Sequence, residues 1–251
     1  MKSTAMRITA LVATAATAVA LAGCTTTGAA SESEGTIALL LPESQTARYE
    51  AFDRPIFEER VAALGDFDVL YSNADQDAAK QQQQAEAALT AGAEVLVLDP
   101  VDAQAAVSIV ETANAEGIPV VSYDRLVAGG ELAYYISFDN EQVGVLQGET
   151  LVAALDADGA TGGILMVNGS PTDGNAALFK AGAHSVIDDS GYTVLAEFDT
   201  PDWSPENAQQ WVAGQLTQFE GQISAIYAAN DGTGGGASLR ASSASSPAIS
   251  S

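Results

Sequence analysis

Short apolar runs alternate with amphipathic, helix-like stretches along most of the chain, which predicts an α/β fold with parallel sheets covered on both faces. The runs are nearly continuous in Val, Ile, Leu and Ala, as strands buried on two sides require. Composition agrees. With 47% apolar and 17% charged residues the chain is too hydrophobic for a disordered acidic protein, and 251 residues suffice for one or two globular domains.

Taken in order, Thr36–Leu41 (TIALLL) reads as a first strand, and Thr46–Leu64 as a helix with Phe52, Ile56, Val61 and Leu64 near one face. Phe67–Tyr71 (FDVLY) is a second strand and Gln76–Ala91 a second helix. The Gln81–Gln84 run within it reads as a solvated helix face, since Gln forms helix well without burial. Val95–Leu98 (VLVL) is a third strand and Ala103–Glu116 the next helix, closed by Gly117-Ile118-Pro119 before a strand at Val120–Tyr123 (VVSY). After a short crossing around Tyr134–Phe138 the pattern restarts. Helices at Gln142–Leu155, Ala176–Asp188 and Pro205–Phe219 alternate with strands at Gly163–Val167, Val194–Phe198 and Ile223–Ala228.

The ends differ from this middle. Lys2 and Arg7 precede an Ala-rich apolar run from Ile8 to Ala22, which is short for a membrane-spanning helix and has the size of a signal-peptide core. It ends in Leu21-Ala22-Gly23-Cys24, which resembles the lipobox of bacterial lipoproteins. That resemblance implies cleavage before Cys24, lipidation of its thiol, and attachment to the membrane at the periplasmic or extracellular face of the cell envelope. Residues 1–23 are then a lipoprotein signal peptide and 24–35 a small, polar, flexible tether.

Charge and residue counts exclude several functions. A formal charge of −24, with 9 basic against 33 acidic residues, argues against nucleic-acid binding. One Cys and one His cannot form a disulfide or a usual zinc site, and nothing calls for a metal or cofactor. There is no G-x-S-x-G elbow. His184 lies mid-helix with no evident partner, and the adjacent pairs Glu58-Glu59 and Asp188-Asp189 read as solvated charge. Gly232-Thr233-Gly234-Gly235-Gly236-Ala237 fits G-x-G-x-x-A, yet it follows the last strand and lacks a later acidic ribose partner, so it reads as a Gly-rich helix start near a ligand.

Ligands of open parallel sheets bind beyond the carboxyl ends of the strands. Those ends carry Pro42–Tyr49, Asp99-Pro100-Val101-Asp102, Asp124-Arg125, Asn168–Asn175, Asp202-Trp203 and Asn230-Asp231-Gly232. Planar Arg, Asp and Asn groups can hold neighbouring hydroxyls, and the faces of Tyr49 and Trp203 suit the C–H surface of a sugar ring.

Here the chain resembles the type I periplasmic sugar-binding proteins, specifically the D-xylose-binding components of ABC importers. The resemblance is carried by Val95–Val101 (VLVLDPV), Val121–Leu126 (VSYDRL), Tyr135–Gln147 (YISFDNEQVGVLQ), Gly169–Phe179 (GSPTDGNAALF), Trp203–Ala208 (WSPENA) and Ala229–Ala237 (ANDGTGGGA). It implies two Rossmann-like α/β lobes that close on a monosaccharide, with an N-terminal sugar-binding lobe at 36–139 and a partial C-terminal lobe at 140–237. Arg48, the Asp124-Arg125 pair, Asn175 and Asn230 match hydroxyl-binding positions, and Trp203 a stacking aromatic. Tyr49 stands where the xylose binders stack a Trp, and Gly174 replaces a neighbouring Asn. The implied mechanism is capture without chemistry by a monomer, whose closed form is recognised by a membrane permease.

After Ala237 the family pattern stops, and residues 238–251 read as a non-family tail with 7 Ser in 14 residues. The family would extend the second lobe and return to the first, so a truncation or frameshift near Ala237 is the expectation. Three alternatives stand beside a D-xylose binder: a binder of another pentose or hexose, a non-functional truncated copy, and an exported α/β enzyme acting on sugars. A regulator core of the same fold would need an N-terminal helix-turn-helix where the leader stands.

Overall fold

The computed structural model describes residues 33–243, with side chains to Leu239. The leader, Cys24, the first part of the tether and the end of the Ser-rich tail lie outside the described residues. Within them, strand and helix alternate as β1 (Gly35–Leu41), α1 (Arg54–Leu64), β2 (Phe67–Asn73), α2 (Ala78–Thr90), β3 (Val95–Leu98), α3 (Val107–Ala115), β4 (Val120–Tyr123) and β5 (Tyr134–Ile136). Then follow α4 (Asn140–Asp158), β6 (Gly163–Asn168), α5 (Gly174–Ile187), β7 (Val194–Asp199), α6 (Pro205–Gln218), β8 (Ile223–Ala228) and α7 (Asp231–Ser243).

The strands form two parallel sheets, ordered β2-β1-β3-β4-β5 and β7-β6-β8. β1, β3 and β6 are nearly continuous apolar runs, because inner strands are covered on both faces. Successive side chains of a strand point to opposite faces. Ala38 and Leu40 of β1 therefore join Leu96, Leu98 and helix residues Ile109, Val110 and Ala113 on one face, while Leu39 and Leu41 meet Tyr49 and Val97 on the other. In the second sheet Ile164 and Met166 pack with Ala183, Ile187 and Trp203, and Val167 packs with Ala208, Val212 and Ala237. This is the α/β architecture of two lobes with parallel sheets that the alternation predicts.

Five local expectations are corrected. The crossing at Tyr134–Phe138 contains a strand: Tyr134 and Ile136 pair in register with Val121 and Tyr123. The single helix expected over Thr46–Leu64 opens as a π-helical turn, Tyr49–Asp53, before α1. Pro55 explains this, since it has no N–H to continue a regular ladder backwards into the preceding turn. The Gln run is a solvated face only in part: Gln83 is exposed, whereas Gln84 donates to the Asn73 carbonyl at 2.8 Å. Gln81 is buried, donating through Nε2 to the Asp99 carbonyl at 2.7 Å and accepting from Val101 N–H at 2.9 Å through Oε1. It thereby clamps the chain leaving β3. His184 has partners after all, with Nδ1 3.0 Å from Asp188, one turn on, and Nε2 3.4 Å from Glu197. Finally, α7 runs past Ala237 to Ser243, because its Gly-rich start is capped and Leu239-Arg240-Ala241 favour helix.

Helices α4 and α5 cover one face of the second sheet and touch each other backbone to backbone. A Cβ on Gly182 of α5 would lie 2.0 Å from the Glu141 carbonyl oxygen of α4, an atom that cannot move aside. Gly214 of α6 is exposed and has nothing within 4 Å of the same position. Gly182→Ala should therefore cost about 1–3 kcal/mol by forcing the helices apart, whereas Gly214→Ala should gain up to about 1 kcal/mol of helix propensity. Urea unfolding of the two variants checks this; equal effects would contradict the packing argument.

Candidate functional site

The carboxyl ends of both sheets face a common cleft of about 600 Å³, and all seven predicted site residues line it: Arg48, Tyr49, Asp124, Arg125, Asn175, Trp203 and Asn230. Gln45, Phe138, Asn140, Asp173, Phe179 and Asp231 complete the polar and aromatic lining.

Arg48 and Tyr49 are placed by the turn after β1. Glu43 is fully buried there, and its Oε2 accepts from the backbone N–H groups of Gln45 and Thr46, the latter at 2.9 Å. The turn thus delivers the π-helical segment to the cleft edge. Arg48 Nη2 sits 2.5 Å from Asp124 Oδ2, and its Nε 3.1 Å from Asp53. Tyr49 also donates its hydroxyl to Asp124 Oδ2, at 2.8 Å. Its ring is 2% exposed and belongs to the core beneath β1. The structure therefore gives Tyr49 the role of orienting Asp124, and the stacking platform expected of it is not open. The exposed aromatic on this wall is Phe138, 68% exposed, with the Arg48 guanidinium 6.0 Å from its ring centre.

Asp124 follows β4 with φ +58°, a left-handed conformation that non-glycine residues rarely adopt. The bend is held by its N–H to the Ile136 carbonyl at 2.8 Å, so the strand that the sequence conceals is what shapes this corner. The turn sends Arg125 inward, 3% exposed, among three acids. Asp173 Oδ2 lies 3.0 Å from Arg125 Nε, Glu43 Oε1 3.6 Å from Nη2, and Asp99 Oδ1 3.7 Å from Nε. Burial works against the guanidinium charge, yet Tyr49, Asp173, Asp99 and Glu43 together raise its pKa above the ordinary value. Burial pushes Asp99 well above the usual carboxylate range despite Arg125, and it also raises Asp173. Neither oxygen of Asp99 has a hydrogen-bond partner, because the nearby Tyr49 hydroxyl is aimed at Asp124.

The opposite wall comes from the second sheet. Asp173 caps α5 by accepting from Asn175 N–H at 2.9 Å. Asn175 Nδ2 then reaches the Asp124 carbonyl at 3.1 Å, while its Oδ1 accepts from Asn140 Nδ2 at 2.9 Å. Trp203 ends a short 3-10 turn after β7 with φ +54°. Its ring lies flat over Gly169, where a Cβ would come within 2.0 Å, and Phe179 meets it edge-on at 6.4 Å. Asn230 accepts from Thr233 N–H at 2.9 Å and so caps α7.

Sequence reasoning missed Glu43, Asp99, Asp173, Asn140, Phe138 and Phe179. The first three stand at strand or helix ends, which is a usable signal, but nothing in a linear sequence says that they converge on Arg125. Chemically, the lining offers planar hydrogen-bonding groups and aromatic faces. Both arginines are already paired with carboxylates, so neither is free to attract a phosphate.

Comparison with known proteins agrees with this geometry. The family described as periplasmic binding protein domain matches residues 37–245. The D-xylose-binding periplasmic protein of Escherichia coli K12 is 35% identical over 213 residues, covering 83% of this chain and 63% of that protein. The multiple sugar-binding periplasmic receptor ChvE of Rhizobium radiobacter is 32% identical, covering 79% and 60%. Among solved structures, an ABC transporter solute-binding protein from Clostridium phytofermentans with bound β-D-glucose superposes with a TM-score of 0.75 at 26% identity, over 83% of this chain and 68% of that one. The chain thus spans less than two thirds of the length of these curated relatives, and over that span it belongs to the periplasmic binding protein domain family.

Proposed function

We propose that this protein is the substrate-binding lipoprotein of a sugar ABC importer, which captures D-xylose or a similar monosaccharide between its lobes and presents it to the permease. The observation that carries this reading is the convergence of all seven predicted residues, from two sheets, on one cleft of about 600 Å³. Asp124 and Asn175 offer acceptors and donors for ring hydroxyls, Phe138 offers an exposed apolar face, and Trp203, itself 4% exposed, lines the cleft beside Phe179. Binding is the whole activity on this reading. The protein works by shifting between open and closed lobes, with the closed form read by the permease. The anchor is the lipid on Cys24. A second reading, a broader specificity for pentoses and hexoses, is favoured by one detail: Tyr49 is committed to Asp124 and leaves the Phe138 wall open. Relatives named for D-xylose and for multiple sugars support both readings.

Calorimetric titration with a panel of pentoses and hexoses tests this proposal. D-xylose or a close analogue should bind, and Trp203→Ala should weaken it by about 30-fold or more, as loss of a central aromatic anchor does. Unchanged affinity in that variant would remove Trp203 from the site.

The buried acids beneath the cleft make a second test. Protonated Asp99 would leave Arg125 facing two carboxylates, Glu43 and Asp173, instead of three, which lessens the excess of negative charge beneath the cleft. Because burial raises Asp99 above its ordinary value of 3.8, its contribution is full below that pH and is lost as pH rises through the raised value. Asp99→Asn cannot titrate. As pH rises above about 4 the wild type should progressively lose stability relative to this variant. Urea unfolding across that range measures the difference, and a gap independent of pH would mean that Asp99 stays ionised.

A further inference from the structure

Asp173 is outside the predicted set, yet the two walls of the cleft meet on it. It is 4% exposed, and its two oxygens meet two hydrogen-bond donors and one cation. Oδ1 accepts the N–H of Asn175 and starts α5. Oδ2 accepts from Trp203 Nε1 at 3.0 Å and forms an ion pair with Arg125, 3.0 Å from its Nε. Trp203 belongs to the same lobe as Asp173, whereas Arg125 follows β4 of the other.

The alternatives for holding Arg125 do not span the cleft. Glu43 and Asp99 follow β1 and β3 of Arg125's own sheet and stand 3.6 and 3.7 Å from it, and the Pro100 carbonyl that accepts from its Nη1 at 3.3 Å belongs to that same lobe. The other bonds between the lobes include Ala103 N–H to the Thr172 carbonyl, Gln76 Nε2 to the Asp202 carbonyl, and Asn175 Nδ2 to the carbonyl and carboxylate oxygens of Asp124, and none of them touches Arg125 or Trp203. Trp203 has a parallel need. Its backbone sits at φ +54°, a conformation that disfavours a bulky residue, so the ring must be held by something beyond its own backbone. Gly169 supplies the floor and Asp173 the one polar anchor of the indole.

We propose that Asp173 is the positioning residue of the cleft: one carboxylate oxygen orients Arg125 of the first lobe and Trp203 of the second together, and so couples lobe closure to assembly of the binding surface. The inference deepens the sugar-binding reading and rests on it for the ligand. Its claim about closure can be read without any sugar.

Asp173→Ser is the informative change, because Ser still caps a helix while the shared oxygen is lost. Both forms are made in the full chain with Trp211→Phe. The chain has 2 Trp, and Trp211 stacks on Phe198 at 5.4 Å, outside the cleft lining, so Trp203 becomes the sole indole reporter. Without sugar, Asp173→Ser should keep cooperative unfolding but show a larger radius of gyration by small-angle scattering and a red-shifted Trp203 emission. With D-xylose it should bind about 30-fold or more weakly, the size expected for one partner of a buried charged pair. A merely structural residue would lower the melting temperature and leave scattering and emission unchanged; that result in a folded variant overturns the proposal. Should Asp173→Ser not fold, Asp173→Asn, which keeps the side-chain size, carries the same comparison with the same outcomes. Failure of the reference chain to bind any pentose or hexose would count against the sugar reading alone, and scattering and emission would still decide the latch.

Discussion

A guanidinium that is 3% exposed must be surrounded by negative charge, and the arrangement around Arg125 is the constraint on which the cleft depends. Its partners come from the ends of β1 and β3 and from the cap of α5. Parallel register brings the first two together: Leu40 pairs with Leu98, and Leu98 with Ser122, so the residues just beyond these strands emerge side by side. Three acids around one cation are more than charge balance requires. Two consequences follow from that excess. Asp99 carries the desolvation and is pushed toward its neutral form, and Asp173 is left as the close, oriented partner.

The same convergence separates what the sequence shows from what it hides. Strands such as Thr36–Leu41 and Gly163–Val167 announce themselves because two-sided burial demands continuous apolar side chains. β5 does not, since Tyr134, Tyr135 and Ile136 are 70%, 42% and 57% exposed, and a three-residue edge strand has no burial pattern to display. Gln81 misleads for the opposite reason. A long amide suits a solvated helix as well as a buried clamp, and only the position of the Asp99 carbonyl decides between them. In the cleft, residues with a recognisable motif around them, Asp124-Arg125 and Trp203, were legible. Glu43, Asp99 and Asp173 were not, because their meaning lies in distances between segments far apart in the chain. Tyr49 is intermediate: its place at the cleft was readable, but the burial of its ring depends on Leu39, Leu41 and Val97 packing over it.

Backbone strain offers a line of reasoning independent of any resemblance. The described non-glycine residues with positive φ are Asp75, Gln76, Asp124, Asp202 and Trp203. Asp124 and Trp203 line the cleft, while Gln76 and Asp202 bond across it through Gln76 Nε2 and the Asp202 carbonyl at 2.7 Å. Left-handed conformations at such residues cost roughly 1–3 kcal/mol each and persist only where the surroundings over-determine them. The surroundings do so here. The Ile136 carbonyl holds Asp124, Gly169 and Asp173 hold Trp203, and the interlobe bond holds Asp202. What the strain does achieve is direction. It turns one carboxylate and one indole out of the regular run of the chain and into the same space, where each is fixed before a ligand arrives. A site so preorganised loses less freedom on binding, whatever ligand the cleft takes.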